Sequence, residues 1–292
     1  MLMAYYEIAC KNRKCKFLND IAETLCSKCG RTITDTPNVK RAKLISEQLA
    51  LKQRYKDAKC LVDSKGLNTE LQKFELCVLN EGKAIINIDF NFLWKWLITG
   101  GVEYKSYQRQ IYEGLRKKAK WAYDVKRCIV DACLFGSDIE VIYSALSINE
   151  TGLTTYGQIS VIMDTKSIEM RTSCLEENSF NFIKAVLGAG YDLDSPLPAG
   201  KFAPWQKRHQ LATIKCHKKF YSNMTVGEVQ RLILRTGDDR STDDFIELYI
   251  YGKIVKDTVE KIRISSVTIS QLDSKQKIQL EELANHFKVE IY

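Results

Sequence analysis

The chain has 292 residues, which is enough to bury one large core or a domain with a small appendage. Hydrophobic residues make up 45% of it and charged residues 27%, as in an ordinary soluble globular protein, and no run of about 18 apolar residues offers a membrane span. The formal net charge is +8. Of the ten cysteines, four cluster with metal-ligand spacing and six are scattered singly, and the start of the chain lacks the basic-then-apolar order of a secretory signal, so we expect a cytoplasmic protein.

The first predicted element is a small metal-binding module over residues 1–36. Cys10 and Cys15 enclose four residues, and Cys26 and Cys29 enclose two. Four thiolates complete the tetrahedral shell that Zn²⁺ prefers, and so short a segment cannot fold on its own apolar content. We therefore predict a zinc ribbon rather than disulfides. The basic residues around the cysteines suit phosphate contacts, although a ribbon that only docks on its neighbour explains the same cysteines.

A mainly helical segment follows over residues 37–134. Apolar residues recur at helical spacing over residues 39–63 and 68–79, and a short strand is predicted at 84–88. Two further helices are predicted between residues 90 and 127. The basic helix over residues 39–63 could bind nucleic acid or a partner, although a core-packed, solvated connector explains it too.

Strands and helices alternate from residue 135 to the end, which predicts an α+β domain over residues 135–292. Residues 191–210 hold most of the prolines and are expected to form a loop that covers a site or presents Trp205 to a target. Residues 215–219 are interpreted as a strand. The other predicted strands cover residues 139–147, 152–163, 168–173, 243–254 and 259–264. One predicted helix is capped by Asn178 or Ser179 and extends to Leu187. Two more helices cover residues 224–235, where Thr225 and Glu228 form a capping box, and residues 274–286.

The strand at residues 243–254 carries the main candidate residue. Alternation brings Phe245, Glu247, Tyr249 and Tyr251 to one side, which we expect to be open, while the intervening aliphatic residues face the core. Glu247 is then a single carboxylate among aromatic rings, on which a flat ring such as adenine or nicotinamide could stack. An ordinary half-buried strand with a solvated glutamate explains the same pattern.

The form of this strand, hydrophobic-hydrophobic-Glu-x-x-hydrophobic-x-Gly, resembles the last catalytic strand of the mono-ADP-ribosyltransferase family. The strand at residues 139–147 resembles the first core strand of that family. The order Tyr-Gly, strand, turn, strand, Arg-Thr-Ser over residues 156–173 is similar to its ligand-facing hairpin. The resemblance covers about half of the chain, residues 135–265, and implies an ADP-ribosyltransferase-like split β-sheet core.

This resemblance implies NAD as the substrate and a role for each matching residue. Glu247 would stabilise the positive charge that develops on the ribose when its bond to nicotinamide breaks. Arg171 would clamp the pyrophosphate, although a cross-strand ion pair explains it too. Many members carry Arg or His at the position of Ser144, so that contact is unassigned here. The implied NAD-binding residues are Tyr143, Ser144, Tyr156, Gly157, Arg171, Ser173 and Tyr249.

The charge distribution suggests a polyanionic target. Residues 1–60 carry 13 Lys and Arg against 6 Asp and Glu, residues 201–235 carry 8 against 1, and residues 129–200 carry 3 against 10. Two basic zones separated by an acidic one form a directional surface that suits a nucleic acid. The candidate nucleic-acid-binding residues are Lys215, Lys218 and Lys219.

With its zinc ribbon, this architecture resembles the ADP-ribosyltransferase toxins of bacterial toxin–antitoxin and phage-defence systems. The resemblance implies RNA or single-stranded DNA as the target, with RNA favoured, and an antitoxin as a partner. Two alternatives remain open. One is an ADP-ribosyltransferase that modifies a protein, and the other is a non-enzymatic zinc-ribbon protein that binds nucleic acid and uses Glu247 only structurally.

Overall fold

The computed structural model describes residues 7–10, 14–20, 26–28, 36–99, 103–114, 122–135, 140–188 and 197–292. Within these ranges the protein is an α+β fold built on one large mixed sheet. No helix in the described part of the chain is both long enough and apolar enough to cross a membrane.

Twelve strands are present in the described residues, and eight of them form the large sheet in the order β12-β11-β6-β3-β5-β9-β7-β8. Its neighbouring strands are antiparallel except for the parallel pair β11 and β12. The strands are β1 (Glu7–Ala9), β2 (Leu18–Asp20), β3 (Lys83–Ile88), β4 (Glu103–Tyr104), β5 (Val141–Ser147), β6 (Ile159–Met163), β7 (Thr172–Leu175), β8 (Phe202–Pro204), β9 (Glu247–Tyr251), β10 (Ile254–Val255), β11 (Val259–Ile264) and β12 (Val289–Ile291).

Helices cover both faces of the large sheet. The α-helices are α1 (Pro37–Ala42), α2 (Ile45–Asp63), α3 (Asn68–Glu81), α4 (Phe90–Trp94), α5 (Tyr107–Tyr112), α6 (Ala122–Phe135), α7 (Thr165–Ile168), α8 (Ser179–Gly188), α9 (Arg208–Cys216), α10 (Val226–Ile233), α11 (Ser266–Ser270) and α12 (Ser274–His286). A π-helical turn, Lys95–Thr99, extends α4, and 3₁₀ turns lie at Thr154–Tyr156, Glu169–Arg171, Trp205–Lys207, His217–Lys219 and Lys256–Thr258.

The main core lies where α2, α3 and α9 pack on one face of the sheet. Leu51, Phe74 and Leu211 from these helices belong to the same buried cluster as Leu146 and Leu248 of the sheet. A second cluster lies on the other face, where α6 and α8 pack against β9 and β8. Strand β3, from the predicted helical segment, pairs with β5 and β6, so residues 37–134 and 140–292 share one sheet.

The large sheet opens between its two central strands, β3 and β5. They pair only from Lys83 with Ser147 to Ile85 with Ala145. Beyond that point β3 continues alongside β6 as far as Ile88. Strand β5 instead continues alongside β9. The sheet is therefore split at one end, with space between β3 and β5. Each of these strands still pairs with its other neighbour, β3 with β6 and β5 with β9.

The loop before β6 is held against the open part of β3 by Asn87. Its amide nitrogen donates to the carbonyls of Thr151 and Gly157, and its oxygen accepts from the backbone N–H of Leu153 at 2.7 Å. Gly152 has a φ of +63°, and a Cβ there would lie 1.9 Å from the Asn87 oxygen. Glycine is required at this position because the backbone approaches the amide so closely.

Several local predictions are wrong. The strand predicted over residues 168–173 begins only at Thr172, because Thr165–Ile168 form α7 and Glu169–Arg171 form a 3₁₀ turn. Strands β6 and β7 do not form a hairpin, because β3, β5 and β9 lie between them in the sheet. Residues 215–219 continue helix α9 into a 3₁₀ turn and do not form a strand. Trp205 is not presented to a target, because it is 1% exposed and the Arg208 guanidinium lies 4.3 Å from its ring centroid.

Other predictions are confirmed closely. Helix α12 covers residues 274–286 and strand β11 covers 259–264, as the pattern predicted. Helix α10 begins with the expected capping box, in which Thr225 and Glu228 each bind the other's backbone N–H. The long helix predicted over residues 39–63 is instead divided into α1 and α2.

Candidate functional site

A cavity of about 320 Å³ occupies the split between β3 and β5. Its floor is formed by Ile85–Asn87 of β3, by residues 141–145 of β5 and by Glu247 of β9. Its walls come from residues 104–110, 153–156, 178–181 and 240–241, which are far apart in sequence. The volume is at the lower end of the range for small-molecule sites, so the cavity suits a compact ligand or one part of a larger ligand.

Glu247 is the only acidic residue among the described residues that line the cavity. Its side chain is 5% exposed. One carboxylate oxygen, Oε2, accepts hydrogen bonds from the backbone N–H of Ser179 and from the hydroxyl of Tyr249, each at 2.9 Å. Ser179 is the first residue of α8, so the positive end of the helix dipole also favours the charged carboxylate. The carboxylate is therefore held in one orientation at the floor of the cavity.

The expectation that Tyr249 shares an open face with Glu247 is wrong. Tyr249 is fully buried and does not line the cavity. Its ring packs against Phe135, Tyr143 and Phe202, with centroid distances of 4.8, 5.3 and 6.4 Å. Both faces of β9 are covered, because helices pack on each side of the sheet. Tyr249 therefore orients the Glu247 carboxylate from outside the cavity and cannot stack on a ligand.

Aromatic rings and an unsatisfied hydroxyl also line the cavity. Tyr143 and Phe180 are half-buried, and Phe245 is buried. The Tyr143 hydroxyl donates to the carboxylate of Asp131. Ser144 is 7% exposed, and its Oγ makes no hydrogen bond within the described part of the chain. An unpaired buried hydroxyl costs free energy, so a polar ligand group would relieve that cost.

Arg171 is not brought to this cavity. It is 3% exposed, its Nε donates to the carbonyl of Ser167, and one Nη donates to the carbonyls of Tyr251 and Lys253 at 2.6 and 2.8 Å. Its guanidinium therefore ties the end of β9 to the turn before β7. These contacts and its position outside the cavity lining do not support the predicted role of Arg171 as a pyrophosphate clamp at this cavity.

Ser173 and Gly157 also lie outside the cavity lining. The Ser173 hydroxyl is within 3.3 Å of the Asn38 amide, which also donates to the carbonyl of Tyr249 at 2.7 Å. Gly157 lies against the backbone of Ile88, where a Cβ would be 2.2 Å from the carbonyl carbon. Of the predicted NAD-binding residues, the structure therefore brings only Tyr143, Ser144 and Tyr156 together with Glu247.

Sequence reasoning missed Arg240 and Phe180, which also line the cavity. Phe180 follows the predicted cap of α8, and Asn178 Oδ1 accepts from its backbone N–H at 2.8 Å. Arg240 belongs to the turn that precedes β9. No local pattern marks either residue, because each reaches the cavity only through the pairing of distant strands.

The N-terminal hairpin of β1 and β2 brings three cysteines together. The sulfur atoms of Cys10, Cys15 and Cys26 all lie within 4.8 Å of one another, and those of Cys15 and Cys26 are 3.7 Å apart. Asn19 ties the Cys26 turn to the hairpin, because its Oδ1 accepts from the backbone N–H of Ser27 at 2.9 Å. None of the three forms a disulfide bond with another described cysteine. They could hold a metal ion such as Zn²⁺; the predicted fourth ligand, Cys29, lies outside the described residues.

The predicted nucleic-acid-binding lysines are partly neutralised. The ammonium groups of Lys215 and Lys219 lie 2.5 and 2.9 Å from the carboxylate of Asp244. Burial by itself would raise the pKa of Asp244, but the hydrogen bonds from the two lysines outweigh it and lower the pKa. Lys218 is exposed and has no carboxylate within ion-pair distance among the described residues.

Comparison with known proteins does not identify a family for this chain. No protein-family model matches the sequence, and no curated protein is significantly similar to it. The argument for function therefore depends on the geometry of the cavity and of the cysteine cluster.

Proposed function

We propose that the protein is an NAD-dependent ADP-ribosyltransferase in which Glu247 is the catalytic residue. The observation that carries the proposal is a single carboxylate, fixed by two hydrogen bonds, at the floor of an aromatic-lined cavity in a split sheet. The sequence resemblance of the Glu247 strand to the catalytic strand of this family supports the same conclusion.

The proposed reaction breaks the bond between the ribose C1′ and the nicotinamide nitrogen. The bonding electron pair leaves with nicotinamide, which becomes neutral, and positive charge develops on the ribose as in glycoside hydrolysis. A lone pair of the acceptor then forms the new bond to C1′, and the acceptor loses its proton. A carboxylate that is already oriented stabilises this charge without reorganising during the reaction.

The contacts of Glu247 support this role. The donors from Ser179 and Tyr249 both reach Oε2, so they hold the carboxylate as a rigid anion against the growing positive charge. Tyr143 and Phe180 offer apolar surface for the nicotinamide ring beside it. Ser144 offers an unpaired hydroxyl to a polar group of the ligand.

The acceptor that we propose is a nucleic acid, with RNA favoured over single-stranded DNA. Lys52, Lys56 and Lys59 are exposed along α2, and Lys14 and Lys28 are exposed beside the cysteine cluster. Such ammonium groups suit backbone phosphates. This assignment moves the proposed contact surface away from Lys215 and Lys219, whose two positive charges are partly neutralised by the single carboxylate of Asp244.

Labelled NAD tests the proposal when it is incubated with the purified protein and with RNA, single-stranded DNA or lysate protein in parallel. We expect label in the RNA fraction with the wild-type chain and none with Glu247→Gln. Label in the protein fraction would support the protein-directed alternative. An intact NAD pool in every reaction would contradict the proposal and leave a non-enzymatic nucleic-acid-binding protein.

The resemblance to toxins of defence systems leads to a cellular test. We propose that the active chain arrests the growth of bacterial cells unless an antitoxin partner neutralises it. Expression of the wild-type chain should then slow growth, while Glu247→Gln at an equal protein level should not.

A further inference from the structure

Arg240 lies in the turn between α10 and β9 and lines the cavity. Its guanidinium carbon lies 4.6 Å from the centroid of the Tyr156 ring. Its Nε donates to the carbonyl of Thr155 at 3.1 Å. Its two Nη nitrogens, which form the outer edge of the guanidinium, make no hydrogen bond to any described residue. The side chain is therefore oriented by stacking while part of its donor edge stays available.

The turn around Arg240 is held by carboxylates on both sides. Oδ1 of Asp239 accepts from the backbone N–H of Ser241 at 2.7 Å. Asp243 accepts from the backbone N–H of Gly237 at 2.8 Å and from the hydroxyl of Thr155 at 2.6 Å. These bonds fix the turn relative to the Tyr156 loop. The position of Arg240 is therefore determined before any ligand binds, which lowers the entropic cost of recognition.

Few charged residues line the cavity. Lys105 is the other cationic residue among the described ones that line it, and its ammonium group already pairs with Glu113 at 2.5 Å. Arg240 has no carboxylate within ion-pair distance in the described part of the chain. The cavity therefore presents one oriented anion, Glu247, and one unpaired cation, Arg240. This pair matches a ligand that is cationic in one part and anionic in another.

We propose that Arg240 binds the pyrophosphate of the nucleotide and makes the cavity selective for ligands that carry phosphate. A planar guanidinium offers parallel donors to phosphate oxygens, and stacking on an aromatic ring leaves that edge free. The identity of the ligand as NAD rests on the proposed function, whereas recognition of phosphate by Arg240 does not. The nicotinamide ring, which is cationic in NAD, would then lie near Glu247.

The test measures equilibrium binding of three probes by calorimetry: NAD, ADP-ribose and nicotinamide riboside. NAD is titrated in the Glu247→Gln background so that it is not consumed, and ADP-ribose is titrated in the wild type as well. Arg240→Ala should weaken NAD and ADP-ribose binding roughly ten- to a hundredfold, the value of losing a charged hydrogen-bond donor. Binding of nicotinamide riboside, which has no phosphate, should change less than about twofold.

Arg240→Lys keeps the positive charge but loses the parallel N–H donors of the guanidinium. Its affinity for ADP-ribose should therefore fall between those of Arg240→Ala and the wild type. Arg231→Ala is the matched control, because Arg231 is exposed on α10 and does not line the cavity. Its affinities should equal those of the wild type.

Two results would overturn the inference: equal affinity of Arg240→Ala and the wild type for ADP-ribose, or an equal loss of affinity for nicotinamide riboside. ADP-ribose binding that depends on Arg240 in a protein that never releases nicotinamide would support the inference and contradict the proposed function. Nicotinamide release together with unchanged ADP-ribose affinity in Arg240→Ala would contradict the inference alone.

Discussion

The hydroxyl of Tyr249 donates a hydrogen bond of 2.9 Å to Oε2 of Glu247, two residues earlier on the same strand. Residues two apart on a strand share a face, so the strand itself fixes the relative position of the pair. The first backbone N–H of α8, that of Ser179, reaches the same oxygen. The strand and the helix together hold the carboxylate at the floor of the cavity.

The Tyr249 hydroxyl should contribute to catalysis without contacting the substrate. Tyr249→Phe preserves the ring packing and removes one hydrogen bond to a buried carboxylate. We expect kcat for nicotinamide release to fall roughly tenfold, with KM for NAD nearly unchanged, because the hydroxyl does not line the cavity. Tyr251→Phe on the same strand is the control and should leave kcat unchanged. A Tyr249→Phe protein with wild-type kcat would show that this hydrogen bond is only structural.

The metal prediction concerns the three clustered cysteines and Cys29. We expect about one zinc ion per chain by elemental analysis, and its loss in Cys26→Ser, because three soft ligands do not close a tetrahedral shell. Cys60→Ser, at an exposed cysteine outside the cluster, should keep the metal. The large sheet should remain folded in Cys26→Ser, because its core includes none of these cysteines. A wild-type chain purified without chelator and free of stoichiometric metal would refute the site.

Nucleic-acid binding should weaken as salt rises, and α2 should account for part of that dependence. Reversing Lys52 and Lys56 to Glu should reduce the slope of log affinity against log salt by roughly 0.7 to 0.9 for each phosphate that the protein no longer neutralises. Lys275 and Lys277 are exposed on α12, and reversing them gives a matched control. Equal slopes for the two double variants would exclude α2 from the contact surface. Reversing Lys215 is a less direct test, because it also breaks an ion pair with Asp244.

The Asp244 pair should make stability dependent on acid pH. The pKa of Asp244 in the folded chain lies below its ordinary value of 3.8, so the folded state favours the charged carboxylate. The stabilisation is complete above that value and is lost as the pH falls through the lowered pKa. Asp244→Asn should lower the free energy of unfolding by up to about 1 kcal/mol at neutral pH, since the pair is partly exposed.

The same difference should shrink towards zero below pH 3.8, as measured by urea denaturation of both proteins. Asp238→Asn, at an exposed carboxylate of the neighbouring turn, serves as the control. A difference between Asp244→Asn and the wild type that is the same at neutral and acid pH would contradict this role of the ion pair.

Elements with strong local signals could be predicted from sequence alone. The capping box at Thr225 and Glu228 fixes where α10 begins, and the period-two pattern defines β11. The burial of β9 could not be predicted in this way. The helices that cover its second face, α6 and α8, come from distant parts of the chain, so its aromatic residues resembled an open face when considered alone.

The residues of the candidate site also fall into those that the sequence predicted and those that it missed. The three clustered cysteines were predicted from residue type and spacing, and Glu247 was predicted from the resemblance of its strand to the catalytic strand of ADP-ribosyltransferases. Arg240 was not, because its position depends on contacts with Thr155 and Tyr156 that only the folded sheet creates. Arg171 misled the sequence interpretation, since a buried guanidinium that binds backbone carbonyls looks the same in a sequence as one that binds phosphate.

The central claim is that Glu247 stabilises the transition state of NAD cleavage, and the rate of nicotinamide release by Glu247→Gln tests it most directly. The amide oxygen of Gln can accept the hydrogen bonds from Ser179 and Tyr249, so the variant should fold and bind ADP-ribose with nearly wild-type affinity. Without the negative charge, we expect the rate to fall roughly a hundred- to a thousandfold. A folded Glu247→Gln protein that releases nicotinamide as fast as the wild type would contradict the claim.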